Sequence, residues 1–201
     1  MFYEPRLGHP LPHDPIKAIV APRPIGWIST LDASGRANLA PYSYFNMVGD
    51  DPPVLAFGSE GLKHSAANAR ATGEFVFNLA TRALFDAMNA SSGDHPAGVS
   101  EFEAAGIEAA PCRIVRPPRV VASPAALECR VVVSLDLPDA AGRPTRNVLT
   151  VGEVVGIHLD EAFLRDGRFD AVAAGTIARL GYRDYAQVTS VFAAPRPTDR
   201  A

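Results

Sequence analysis

The feature that most constrains this chain is a series of short runs rich in β-branched and aromatic residues, each ending at a turn signal. Residues 25–31 (Ile-Gly-Trp-Ile-Ser-Thr-Leu) run into Asp32-Ala33-Ser34-Gly35, and residues 38–43 can return as the partner of a hairpin. Asp51-Pro52-Pro53 punctuates the chain before a strand over 54–58. Residues 74–79 (Glu-Phe-Val-Phe-Asn-Leu), 127–137 and 148–159 complete the set, the last two separated by a turn-rich linker. Gly152 and Gly156 inside the last run predict bends or bulges. Helical pattern is sparse. It predicts helices over 65–72, capped by Ser65 and stopped by Gly73, over 81–90, capped by Thr81, and over 101–105. These helices do not alternate one-for-one with strands. The expected fold is therefore mainly β, an antiparallel barrel with peripheral short helices, and not a doubly wound sheet.

A chain of 201 residues with 47% hydrophobic and 20% charged residues suits one globular domain over 1–201. No repeat or linker divides it. The formal net charge is −3, and the arginines are scattered among acids, which argues against a nucleic-acid partner. Lysine is rare, with only Lys17 and Lys63. Cys112 and Cys129 form no CxxC pair and read as reduced thiols. The first residues lack a basic segment followed by an apolar one, and no apolar run is long enough to span a bilayer. The expected location is the cytoplasm. The Pro-rich first fifteen residues predict an irregular arm, and the Pro/Arg-rich tail from Ala193 predicts fraying.

Three neighbouring segments carry candidate chemistry. In the first, strand alternation puts Trp27 and Ser29 on one face and Ile28 and Thr30 on the other. An aromatic with a hydroxyl two positions on could receive a planar heterocycle, or Trp27 could be a core residue. The second, residues 38–46, is dense in polar groups, with Ser43, Tyr44 and Asn46 among them; a turn or a ligand could satisfy them. The third is Lys63-His64-Ser65 with Asn68 on the first turn of a helix. Free N–H groups and the dipole make a helix N-terminus attractive to phosphate, and Lys63 adds a charge; a routine capped helix is the alternative. His9, His13, His64, His95 and His158 show no metal-ligand spacing, so no metal is expected. No GxGxxG, P-loop or GxSxG occurs.

Together these segments resemble the flavin reductase-like family with the FMN-binding split barrel, in its flavoredoxin-like branch. The resemblance rests on Pro22 to Thr30, Asn38 to Asn46, Asp51-Pro52-Pro53, Lys63-His64-Ser65 with Asn68, and Thr72 to Leu79. His64 stands where the family often has Asp. The resemblance implies a six-stranded antiparallel Greek-key split barrel, a homodimer, and FMN near the dimer interface. It places Trp27, Ser29, Thr30, Ser43, Tyr44 and Asn46 along the flavin, with Lys63, His64, Ser65 and Asn68 toward its phosphate and Tyr182 near the ring. The implied activity is hydride transfer from NAD(P)H to flavin N5, with the reduced flavin passing to a monooxygenase or another electron acceptor. A flavoprotein electron carrier or FMN-binding module with little turnover is the alternative. In either case the flavin carries the chemistry, and no protein acid or base is required.

Overall fold

The computed structural model describes residues 1–93, 95 and 99–195. One antiparallel sheet organises them. Its strands are β1 (Gly26–Leu31), β2 (Ala37–Tyr42), β3 (Phe45–Asp50), β4 (Pro53–Glu60), β5 (Glu74–Leu79), β6 (Ala125–Pro138) and β7 (Pro144–Leu159). The hydrogen-bonded order is β2-β1-β5-β6-β7-β4-β3. The two outer strands of that order, β2 and β3, are joined only through Ser43 and Tyr44, so the chain itself brings the sheet edges together. Aromatic packing closes the gap across the interior. The Tyr42 ring lies 5.0 Å from Phe57, and Phe45 stacks on Phe77 at 4.8 Å. Gly26 permits this closure: a Cβ there would come within 2.4 Å of the Phe45 ring.

The interior of the barrel is a cluster of Ile28, Tyr42, Phe45, Leu55, Phe57, Phe75, Cys129 and Val148. After the short α1 (Ile16–Ile19), helix α2 (His64–Thr72) packs into it, with Ala66 and Ala69 fully buried. Their small side chains allow the helix to approach closely. A second core lies on the other face of β1, where Trp27 and Leu39 meet Met88 of α3 (Phe85–Ala90) and Phe102 of α4 (Glu101–Ala104). Strand β1 is thus covered on both faces, which is why it carries apolar residues at consecutive positions. Burying a side chain such as Trp27 or Phe57 contributes about 1.5–3 kcal/mol.

The structure agrees with the expected mainly β barrel and adds a strand: the main sheet pairs seven strands where six were expected, with three small sheets beside it among the described residues. The added one is β3, whose Met47 and Val48 are both exposed, so it lacks the half-buried alternation of a typical strand. The predicted bulges occur: pairing between β6 and β7 shifts at Val151/Gly152 and again at Val154/Gly156. The helix expected over 81–90 is shorter, because Thr81 bridges to Thr176 and the Arg82 N–H donates to Gly175. Ser100 caps α4 through its hydroxyl. The N-terminal arm holds one 3-10 turn, Pro5–Leu7. Of the tail expected to fray from Ala193, residues 193–195 are irregular and exposed, and the rest lies outside the described residues. Among the described residues, no helix is long and apolar enough to cross a membrane.

Candidate functional site

One end of the barrel gathers most of the candidate residues. The loop after β4 turns at Gly61, where φ is +83°, and its N–H donates to the Arg146 carbonyl at the start of β7. The chain then enters α2. Lys63 is the N-cap by backbone geometry, with extended φ and ψ, and no side chain caps the helix. Lys63 and His64 are exposed. The opening N–H groups of α2 therefore follow directly on an exposed lysine that, among the described residues, forms no ion pair, an arrangement that attracts an anion.

Ser65 departs from its expected role. It is the second helical residue and not the cap, and it is 1% exposed. Its hydroxyl pairs with the Asn38 amide at 2.8 Å. The Asn38 side chain fits best with its oxygen accepting from Ser65 and its nitrogen donating to Glu101. Tyr42 adjoins the same group: burial raises the pKa of its hydroxyl, opposed by the Ser65 and Ser59 side chains. Asn68, one turn further along α2, donates to Thr30 Oγ1 at 3.2 Å. Ser65, Asn68 and Thr30 thus tie α2 to β1 and β2; Thr30 and Ser65 are fully buried, and Asn68 is half-buried.

The corner between β2 and β3 meets the same end of the barrel. The Tyr44 carbonyl accepts from the Gly58 N–H at 2.6 Å, and the Tyr44 ring is half exposed. Ser43 is half-buried and Asn46 exposed. Lys17, which the sequence motifs do not single out, places its ammonium 5.9 Å from the centre of the Tyr44 ring. Its rarity as one of two lysines was the one signal available. Tyr182 is exposed, with φ +55°, and its ring lies edge-on to His13 at 5.8 Å.

Trp27 and Ser29 do not join this rim. The core alternative holds for Trp27, whose side chain is fully buried and whose indole N–H donates to Ser91 Oγ at 2.9 Å. Ser29 is also fully buried and donates to the Pro118 carbonyl. Alternation along β1 sends both side chains into the second core, away from the face that carries Thr30.

The chain matches the family described as flavin reductase like domain over residues 20–173. It belongs to that family. A relative from Deinococcus radiodurans, itself uncharacterized, is 42% identical over 180 residues, spanning 84% of this chain and 76% of its own. Among solved structures, the chain is similar to nitrilotriacetate monooxygenase component B from Bacillus cereus, with a TM-score of 0.83 and 27% identity over 89% of this chain and 90% of that one. It is also similar to the 2-nitrobenzoate 2-nitroreductase NbaA of Pseudomonas fluorescens, with a TM-score of 0.80 and 28% identity over 91% and 89% of the two chains. The split-barrel flavin reductase fold accounts for the rim geometry of this flavin reductase-like chain, with the corner, the loop after β4 and α2 converging at one barrel end.

A second constellation has no motif in the sequence. At the far end of β6 and β7, Glu128 is 1% exposed and accepts N–H bonds from Arg113, Ile114 and Val115, while His158 Nε2 lies 2.6 Å from its Oε1. Burial raises the carboxyl pKa, but the N–H groups and the ring outweigh it and hold it at about 2. Cys112 lies alongside, its thiol pushed up to about 12 by burial and by the Glu128 charge.

Proposed function

We propose that this chain binds FMN at the α2 end of the barrel and works as an NAD(P)H-dependent flavin oxidoreductase. The observation that carries this reading is the uncapped N-terminus of α2 beside exposed Lys63. The donor set fits a phosphate monoester: unpaired helix N–H groups, one ammonium, and His64 adjacent. Bound FMN would supply a ring that takes a hydride from a nicotinamide and hands electrons onward. The protein's part is to fix the phosphate at α2 and hold the ring against the 43–46 corner, where Tyr44 and Asn46 are open. With no dinucleotide fingerprint in the sequence, the nicotinamide donor visits as a substrate.

The neighbours support an oxidoreductase in which electrons leave for a second acceptor, either a monooxygenase partner or a small nitro compound. Exposed Met47 and Val48 on β3, next to Asn46, support a homodimer that covers this face and completes the ring pocket. A cytoplasmic location goes with this chemistry. Steady-state NADH and NADPH oxidation with added FMN tests the reading. Sustained turnover is expected, and a stoichiometric single reduction would leave only an electron carrier. Absence of any FMN-induced change in protein fluorescence would remove the flavin assignment itself.

A further inference from the structure

We propose that Cys112, Glu128 and His158 form a binding site for a zinc-class divalent cation, separate from the flavin rim. Their ligand atoms (one sulfur, one nitrogen and one carboxylate oxygen) all lie within 4.8 Å of one another. Among the described residues this is the one such grouping. The donor types are those of zinc and its neighbours: thiolate and imidazole exclude magnesium and calcium, which take oxygen ligands.

The geometry needs little change to admit a cation. Glu128 Oε1 and His158 Nε2 now face each other at 2.6 Å. Two ligands about 2.0–2.1 Å from a tetrahedral zinc stand roughly 3.3 Å apart, so a cation replacing the shared proton spreads this pair by less than an ångström. The Cys112 sulfur, on the loop before Arg113, lies within 4.8 Å of both and closes to about 3.5 Å in such a site, a shift of at most about 1.3 Å. Glu128 is already held: the Ile114 and Val115 N–H groups bond Oε2 and the Arg113 N–H bonds Oε1, the oxygen facing His158, as outer-shell donors do in metal sites. A cleft of about 490 Å³ opens on Glu128 and His158 and is lined also by Arg119, Ser123 and Asp160. It supplies an entry path and room for water at a fourth position.

The site is remote from the flavin rim. On β7, Asn147 pairs with Glu60 near the α2 end, whereas His158 pairs with Ala126 at the other. Eleven residues of strand at about 3.3 Å each put roughly 30–36 Å between them. The proposal therefore stands or falls independently of FMN.

The test is titration of the chelator-treated full chain with Co2+, then displacement by Zn2+, followed by absorption and calorimetry. One equivalent of Co2+ should produce tetrahedral ligand-field bands with a thiolate-to-cobalt charge-transfer band. Cys112→Ser should lose the charge-transfer band, and His158→Gln should weaken Zn2+ binding by at least about tenfold, the cost of even an outer-shell partner. Cys129→Ser is the control. Cys129 is fully buried in the barrel cluster, so that variant should bind as the parent does. Circular dichroism confirms that each variant folds. No saturable Co2+ or Zn2+ uptake by the folded parent chain would overturn the proposal. So would a charge-transfer band that survives in Cys112→Ser, or unchanged affinity in folded His158→Gln.

Discussion

The side-chain amide of Asn68 donates to the hydroxyl of Thr30 across 3.2 Å, joining α2 to a strand whose Thr30 is fully buried. The bond fixes the helix whose N-terminus faces the proposed phosphate site. Asn68→Ala leaves a buried hydroxyl without this partner and should destabilise the protein by about 1–3 kcal/mol in chemical denaturation. Thr30→Val in the same background should recover part of that loss. Strictly additive effects in the double-mutant cycle would show that the two side chains are not coupled.

Lys63→Ala should weaken FMN binding by about tenfold to a hundredfold, from roughly 1.5–3 kcal/mol for a charge-assisted hydrogen bond. Riboflavin, which lacks the phosphate, should bind as before. The apo melting temperature should hardly move, since Lys63 is exposed. Fluorescence titration with both ligands decides. Equal losses for the two would place Lys63 at the ring and not at the phosphate.

Trp27→Ala should act on the fold. It removes a fully buried side chain and leaves the Ser91 hydroxyl without its indole donor, so a loss of about 3–5 kcal/mol is expected. Trp27→Phe, which keeps most of the volume, should cost less and leave FMN affinity unchanged. A folded Trp27→Phe protein with strongly reduced FMN affinity would return the side chain to the flavin.

Gly152→Ala tests the barrel wall. A Cβ at this position meets the Phe75 ring at 2.4 Å and the Arg130 carbonyl at 3.1 Å, so the fully buried ring must shift to admit it. Overpacking of this kind costs about 1–3 kcal/mol. The same substitution at Gly142, where nothing lies within 4 Å but φ is +78°, should be disfavoured through backbone strain alone. A Gly152→Ala protein as stable as the parent would mean that β6 and β7 can shift apart.

Two hairpin loops carry matching acid–base pairs. Asp32 is held low by the Ser34 hydroxyl and the Arg36 N–H, with an Arg36 ion pair at 2.9 Å. Asp139 is held low by the Arg143 guanidinium and N–H, with an ion pair at 2.6 Å. A carboxyl with a depressed folded pKa stabilises the native state above its unfolded value, about 3.9, and that contribution fades as pH falls through the folded value. Asp32→Asn and Asp139→Asn should therefore melt slightly below the parent at neutral pH, and the gap should close on acidification. A gap constant with pH would assign the effect to the turn geometry and not to charge.

Much of the barrel is legible in sequence because its strands are bounded by hard stops. Residues 74–79 match β5 end for end, with Gly73 in the left-handed conformation before them. Strand β3 is obscured because Met47 and Val48 are both exposed and pairing with β4 slips between Met47 and Gly49, which breaks the period of two. The helix over 81–90 is over-read because propensity cannot foresee the bridge from Thr81 to Thr176, nearly a hundred residues away. Lys63 and His64 are readable as a helix entrance. For Trp27 the sequence offers both a core and a flavin-facing role, and alternation cannot choose, since β1 is covered on both faces and its alternation separates two interiors instead of inside from outside. The Cys112–Glu128–His158 group has no signature, because Glu128 and His158 meet across 30 residues by strand pairing alone.

Arg23 is 8% exposed, and its guanidinium donates to the carbonyls of Lys17, Val20 and Leu180, the last 157 residues along the chain at 2.8 Å. A chain synthesised at about 5–20 residues per second makes Leu180 roughly 8–30 s after Arg23. Throughout that interval the cation lacks one wall of its pocket, and α1 (Ile16–Ile19) lacks its anchor to the Ile177–Arg179 strand region. The Lys17–Arg23 segment is therefore made well before the residue that completes its anchorage. A nascent chain stalled before residue 180 should leave the Lys17–Arg23 segment open to protease, and release should close it.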